Sequence, residues 1–568
     1  MTYTAPVREI AFCLDHVVGA GRLARTDRYA DATDDARDAI LTEAARLCEQ
    51  VLAPLNIVSD RQGAVLENGV VRTTPGFREA YKAIAEGGWV GISADPEFGG
   101  MGLPMTFTTA VNEMMSSACL SLGLCPLLSQ GQIEALENHA SDEIKALYLP
   151  RLISGEWTGT MNLTEPSAGS DVGALRSRAE PDGQGTWRVT GQKIFISWGD
   201  HDVAENVVHL VLARLPGAPS GTKGISLFLV PKFIPDENGA PGQANSLRVV
   251  SLEHKMGLHG SPTAVMEFDG ARGWMIGPEN GGMACMFTMM NNARLGVGVQ
   301  GLGVAEAAYQ KALAYARERR QGRTPIGDGN GAIVDHADVR RMLLRMKTLT
   351  EAARAICLDT AFSTDMARAL SGDEAAAWKA RAAFLTPIAK AFGTDVGNEV
   401  AYEGVQVHGG MGYIEETGAA QFSRDVRVTA IYEGTNGIQA MDLTGRKMMD
   451  GGAAARALLA ELRAVDEPSG RLGRAVDALA RATDWMLDNQ PNDRFAGAVP
   501  YLRMWGLTLG AAALVKGAAA ASGDDARRRA ALADWFLRAE LSAVPGLAEA
   551  ACTGAAPLYA LSADDLAA

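Results

Sequence analysis

Cysteine is scarce and scattered in this 568-residue chain: Cys13, Cys48, Cys119, Cys125, Cys285, Cys357 and Cys552 form no C-x-x-C pair and are odd in number. That spacing argues against a disulfide or zinc framework and fits buried thiols in a reducing compartment. The eight histidines supply no H-E-x-x-H and no Cys/His cluster, so no metal site is expected. G-x-S-x-G is also missing, which leaves serine-type acyl transfer without its nucleophile. The chain does not open on a basic stretch followed by an apolar run, and no window reaches about 18 apolar residues. Membrane insertion is therefore not expected, and a cytoplasmic protein is. The Asn162 sequon, N-L-T, has no secretory leader to give it meaning. Positive charge is in deficit, with 53 Lys and Arg against 67 Asp and Glu and a net charge of −14. Nucleic acid and anionic membrane are thereby disfavoured as partners, and a polyanion would have to be met by a local Arg cluster or backbone N–H groups.

What is present is ordinary globular material, 47% hydrophobic and 21% charged, in a chain too long for one core. In DARDAILTEAARLCEQVLAPL, residues Ile40, Ala44, Leu47, Val51 and Leu52 recur at helical spacing, and a helical pattern extends from Asp34 to Ser154. The period then changes to two. TAVMEFDG alternates Ala264, Met266 and Phe268 with Val265, Glu267 and Asp269, and turn-rich clusters separate short apolar runs, as in an antiparallel sheet or small barrel. After Gly282 the helical period returns, with Leu302, Ala305, Tyr309, Ala312, Leu313 and Ala316 along one stripe. Further helices are expected over His336–Leu370, Glu374–Val407 and Asn436–Asp450, enough for a four-helix bundle. The expected organisation is α+β and mostly α. It comprises an N-terminal extension (1–35), a helical domain (36–155), a β domain (156–275), a four-helix bundle (276–452) and an additional helical module (460–568).

GVGVQG, Gly296–Gly301, matches a dinucleotide fingerprint as a string, but it lies within a helical pattern with no preceding strand, so close helix packing is the better account. MNLTEPSAGSDV, from Met161 to Val172, surrounds a Glu-Pro turn with small and hydroxyl residues suited to a polar ligand. KIFISWGD sets Phe195 and Ser197 on one face of a strand. ARERRQGR gathers Arg317, Arg319, Arg320 and Arg323 at a helix end, a plausible pyrophosphate contact. AIYEGTNGIQ places one carboxylate, Glu433, between an aromatic and a Gly-Thr-Asn-Gly turn that opens a helix.

In this order, GWVGISADPEFGGMGLP, MNLTEPSAGSDV, KIFISWGD, QVHGGMGYIEE and IYEGTNGIQ resemble the acyl-CoA dehydrogenase family across roughly Ile40 to Asp450. The Met-Thr-Tyr start, LAPLNIVSDRQGA and the C-terminal module are similar to its larger branch, whose substrates include 3-methylmercaptopropionyl-CoA of dimethylsulfoniopropionate degradation. The resemblance implies that fold, an FAD cofactor, and Glu433 as the base that takes the α-proton of an acyl-CoA while hydride passes from Cβ to flavin N5, giving a trans-2-enoyl-CoA. It implies flavin contacts from Met161, Leu163, Thr164, Phe195, Ile196, Ser197 and Thr435. Arg319, Gln406 and Gly410 would reach the FAD of a neighbouring subunit, which makes a homodimer the expected assembly. Ser170, Asn291 and Arg294 would meet substrate, and Tyr432 would line the acyl pocket. Electron-transfer flavoprotein is the implied acceptor, and 3-methylmercaptopropionyl-CoA or a short or medium acyl-CoA the implied substrate. The chain departs from the family at Phe195 and Ser197, where Trp and Thr are common, and at Gln321, Gly322, Asn291 and Gly437. An acyl-CoA oxidase passing electrons to oxygen, and a catalytically silent acyl-CoA-binding scaffold, are the alternatives.

Overall fold

The computed structural model describes residues 3–326, 329 and 331–568. Met1 and Thr2 of the expected N-terminal extension lie outside them. Thr33 opens the first long helix, Asp34–Leu47, by accepting the Ala36 N–H at 3.2 Å, an N-cap contact. The stretch expected to be all helical also contains a hairpin, Val65–Glu67 with Val70–Arg72. Asn68 and Gly69 turn it with φ of 50° and 79°. This is the Asn-Gly signature of a tight hairpin, which helical periodicity obscures.

Helix α1, Met105–His139, runs buried through the molecule and is interrupted at Cys119, whose φ and ψ of −158° and 91° are not helical. Trp198 Nε1 donates to the Ser121 carbonyl at 3.2 Å, satisfying a group that the break exposes. By length and hydropathy α1 and helix Ala498–Ala520 could cross a membrane, contrary to the expectation that no such window exists; their windows are 100% and 67% buried inside the protein, the mark of core helices.

The middle of the chain forms a seven-stranded sheet: β1 Trp157–Asn162, β2 Arg178–Pro181, β3 Trp187–Ser197, β4 Asn206–Arg214, β5 Ile225–Pro231, β6 Leu247–Leu252 and β7 Thr263–Ile276. Strand β7 pairs with β3, β3 with β2, β2 with β4, β4 with β5 and β5 again with β7, which closes the sheet into a small barrel. Its interior holds Val189, Ile196, Val211, Phe228, Ala264, Met266 and Phe268. Strands β1 and β6 extend the barrel at β4 and β7.

Helices α2 Gly282–Glu318, α3 Ala337–Ala369 and α4 Gly372–His408 form the bundle with α5, Asn436–Thr444. Helix α5 is shorter than expected: Gly445 leaves helical geometry at φ −94°, ψ −93°, and a 3-10 turn at Arg446–Met448 follows. The GVGVQG glycines serve packing. A Cβ at Gly298 would lie 2.5 Å from the Ala389 carbonyl, and one at Gly301 would lie 2.4 Å from that of Gly393. From the other side, Gly393 and Gly397 press against Gly298 and Gly301 in the same way. Arg354 of α3 donates to Glu113 of α1 and Glu306 of α2, each at 2.7 Å, with all three side chains buried. Burial pushes Glu306 up, but Lys347 and Arg354 outweigh it and hold the carboxyl at about 2.

In the C-terminal module, helix α6, Ala498–Ala520, lies on α3 and α4. Gly506 admits Phe392, Gly510 admits Ala352, and Trp505 meets the Phe384 ring edge-on at 5.0 Å. The N-terminal segment joins the same assembly through Glu9, which pairs with Arg528 and Arg529 at 2.7 and 2.8 Å. Because the α2–α4 crossing has no space for a side chain, Gly301→Ala is expected to lower stability by about 1–3 kcal/mol, read as a lower denaturant midpoint at unchanged m-value.

Candidate active site

Glu433 sits between two ordered elements, the turn after Ala430 and the start of α5, with φ of 56°. A side chain at that angle strains the backbone, so the surroundings must hold it. Gly434 follows at φ 84°, and a Cβ there would lie 2.8 Å from the Gln439 amide nitrogen. Gln439 Nε2 donates to the Glu433 carbonyl at 3.1 Å and the Gly434 carbonyl at 3.4 Å. Thr435 caps α5, accepting the Ile438 N–H at 3.2 Å, and its hydroxyl hydrogen stays available to a ligand.

Asn436 anchors the turn to α4. Its Nδ2 donates to Asp395 Oδ1 at 2.7 Å and Thr394 Oγ1 at 2.9 Å, and its Oδ1 accepts from Lys390 Nζ at 2.8 Å. Tyr432, beside the carboxylate, donates its hydroxyl to Gln300 Oε1 of α2. Burial raises the Glu433 carboxyl to about 7, against the opposing pull of Arg294 and Lys390. Lys390 is driven down to about 8 by burial, with Glu433 and Asp395 resisting the shift. Arg294, also buried, reaches Asp442 at 3.8 Å, and Asp442 is held in turn by Arg446. A carboxylate near neutrality, flanked by two buried cations and fixed on a strained turn, is equipped to act as a general base.

A second cluster lies at the rim of the barrel. Half-buried Met161 lies near the end of β1, half-buried Leu163 and Thr164 follow the strand, and Thr164 offers its carbonyl to the Ile194 N–H at 2.9 Å. Below them buried Lys193 donates to the Leu163 carbonyl at 3.0 Å and to Glu165 at 2.8 Å. Phe195 takes φ of 60° and is 59% exposed. A register shift between Ala264 and Met266 marks the bulge. The bulge corrects the simple alternation expected here: Lys193 is buried and Phe195 exposed although they are two residues apart. Ile196 points into the barrel, so it can offer a ligand only its main chain, and Ser197 is half-buried. Helix α1 joins the two clusters. Its Ser129 hydroxyl accepts the Gly159 N–H of β1 at 3.0 Å, and its Leu127 packs against Gly296 of α2.

The remaining expected residues lie apart. Arg319 is exposed at the far end of α2, about 38 Å along the helix axis from Arg294 at about 1.5 Å per residue. Gln406 and Gly410 are exposed at the corresponding end of α4, where His408 stacks on Tyr315 at 4.5 Å. Ser170 and Asn291 are exposed, whereas Arg294 is buried beside the carboxylate. Sequence reasoning does not reach Lys390, Gln439, Gln300 or Lys193, and it reads Asn436 only as an alternative to Thr435 for the helix cap, a role that Thr435 takes. The readable signal was a lone lysine in the apolar run PIAKAFG and an asparagine at the first position of α5.

Four family models match in order: the acyl-CoA dehydrogenase N-terminal domain over residues 34–156, the middle domain over 160–271, the C-terminal domain over 280–448, and an acetyl-CoA dehydrogenase C-terminal-like domain over 447–562. The chain is 47% identical over 563 residues to a 3-methylmercaptopropionyl-CoA dehydrogenase of Ruegeria pomeroyi, covering 94% of this chain and 95% of that one. It is 37% identical over 480 residues to a butyryl-CoA dehydrogenase of Syntrophomonas wolfei, covering 81% and 78%. Its fold matches the acyl-CoA dehydrogenase of Bacillus anthracis complexed with FAD at a TM-score of 0.75 and 21% identity, over 100% of this chain and 94% of that one. The chain belongs to the acyl-CoA dehydrogenase family, and it is an FAD-dependent oxidoreductase acting on acyl-CoA.

Proposed function

We propose that Glu433 removes the α-proton of a bound acyl-CoA in an α,β-dehydrogenation that yields a trans-2-enoyl-CoA. The observation that carries this reading is the Glu433 carboxyl itself, raised by burial to about 7 and held between Arg294 and Lys390. The α-proton of a thioester is weakly acidic, so the base must be both strong and fixed. Bound FAD supplies the hydride acceptor that the reaction needs. The rim of the barrel fits such a group: an exposed aromatic on strained backbone beside half-buried Met161 and Leu163 offers an apolar surface to a flat ring, and Thr164 and Ser197 offer hydroxyls at its edges.

The substrate we propose is 3-methylmercaptopropionyl-CoA, within dimethylsulfoniopropionate degradation, supported by the near full-length likeness to the Ruegeria pomeroyi enzyme. Electron-transfer flavoprotein is the proposed acceptor, in a cytoplasmic homodimer. Arg319, Gln406 and Gly410 are too far along α2 and α4 to meet the ligand of Glu433 in the same copy, and exposed Tyr402, Met411, Tyr413 and Ile414 surround them with an apolar face. Both features suit a site completed across two copies.

Glu433→Gln keeps shape and removes the base; it is expected to retain FAD and to lose at least about a thousandfold in kcat, and near-normal turnover would overturn the assignment. Since a protonated Glu433 cannot accept the proton, kcat/KM should fall as pH drops through about 7 and level off above it. Anaerobic bleaching of the flavin across a panel of acyl-CoAs should be fastest with 3-methylmercaptopropionyl-CoA and short straight chains. A preference for long chains would remove the methylmercapto reading and leave the dehydrogenase, and rapid peroxide release in air would show an oxidase.

A further inference from the structure

Lys390 is buried without exposure in the middle of α4, and its one side-chain hydrogen bond among the described residues goes to Asn436. It forms no ion pair within 4.0 Å among them, whereas the other buried cations near functional elements do: Lys193 with Glu165 at 2.8 Å and Arg354 with Glu113 at 2.7 Å. A buried ammonium is costly unless its charge answers another charge. The attractive charges that act on Lys390 are Glu433 first and Asp395 second.

Its hydrogen bond also has a geometric consequence. Asn436 is saturated by α4, since besides Lys390 and Asp395 it meets Thr394 through both ends of its amide and the Ala391 carbonyl at 3.3 Å. With Asn436 fixed and Gln439 tied back to the Glu433 and Gly434 carbonyls, the three residues from Glu433 to Thr435 have no freedom to relax from φ 56°. We propose that Lys390 is a positioning residue for the dehydrogenation: through Asn436 it fixes the turn that carries Glu433, and its positive charge favours the ionised form of the Glu433 carboxyl. This deepens the function proposed above and rests on Glu433 being the base. The charged and titratable groups that act on this pair are Arg294 from α2, Asp395 from α4 and Tyr432 from the turn; behind them, Glu399 of α4 and Arg503 of α6 act on Asp395, and Asp442 of α5 with Arg446 and Lys447 just after it surround Arg294. Lys390 is the one that touches both the anchor and the field at the base.

The test uses the FAD-loaded enzyme with Lys390→Met, Lys390→Gln, Lys390→Arg and Asn436→Ala, following kcat and KM separately against pH. Lys390→Gln can still donate to Asn436 while lacking the charge, so it reports the electrostatic part even where Lys390→Met fails to fold. In Lys390→Gln the acid limb should move to higher pH by about one unit, the lower end of what an opposite charge at close range shifts, with KM for the acyl-CoA within about twofold because substrate contacts are untouched. Lys390→Arg should return the limb to the wild-type position. Asn436→Ala should lower kcat about tenfold, the cost of a loosened base, and leave the limb in place. Difference infrared spectra, each variant minus its Glu433→Gln counterpart, should show the same carboxyl shift without turnover. A wild-type limb and carboxyl titration in Lys390→Gln, or an Arg variant no better than the Gln variant, would overturn the proposal. An active Glu433→Gln single variant would instead remove the base itself, which separates the two failures.

Discussion

The backbone-to-backbone crossing of α2 and α4 is the constraint on which the candidate site depends. Gly298 lies against Ala389 and the Lys390 Cα, and Gly301 against Gly393 and the Thr394 Cα. With side chains at those glycines the helices would stand further apart, and Lys390 and Thr394 would no longer reach Asn436 while Gln300 reaches Tyr432. A pair of helix surfaces stripped of side chains thus sets the place of a carboxylate on neither helix.

Electrostatics follows from that geometry. Burial alone would leave Glu433 protonated over much of the neutral range, and the cations flanking it, Arg294 and Lys390, act against that tendency. Their own desolvation pushes in the opposite sense, lowering both, so base and cations are mutually supporting. Other buried charges are paired directly. Glu113, Arg354 and Glu306 tie α1, α3 and α2 together, and Lys193 with Glu165 fixes the rim of the barrel under Leu163.

The C-terminal module belongs to this framework. Helix α6 presses Gly506 onto Phe392, two residues beyond Lys390, and Arg503 pairs with Glu399 at 2.8 Å while its guanidinium lies 5.1 Å from the centre of the Phe392 ring. A cavity of about 250 Å³ between them is lined by Asn436, Asp395 and Val499, so the module forms the back wall of the turn that carries Glu433. The N-terminal segment, held to the module by Glu9, completes the same layer over the bundle.

The sequence by itself determined the division into helical, sheet and helical parts, because periods of 3.6 and 2 are properties of neighbouring residues. It singled out Glu433 through its motif, and it identified the GVGVQG glycines as packing residues because no strand preceded them. The Asn68–Gly69 hairpin was equally local and was hidden only by the helical rhythm around it. Other features required the folded molecule. The bulge that turns Phe195 outward depends on the register against β7, the end of α5 on a glycine angle, and the reach between Arg294 and Arg319 on a continuous helix. Lys390 and Asn436 are 46 positions apart and meet only because two helices touch at their glycines. Local sequence specifies which chemistry a residue can perform, but the protonation and aim of Glu433 come from charges and contacts that only tertiary packing brings within reach.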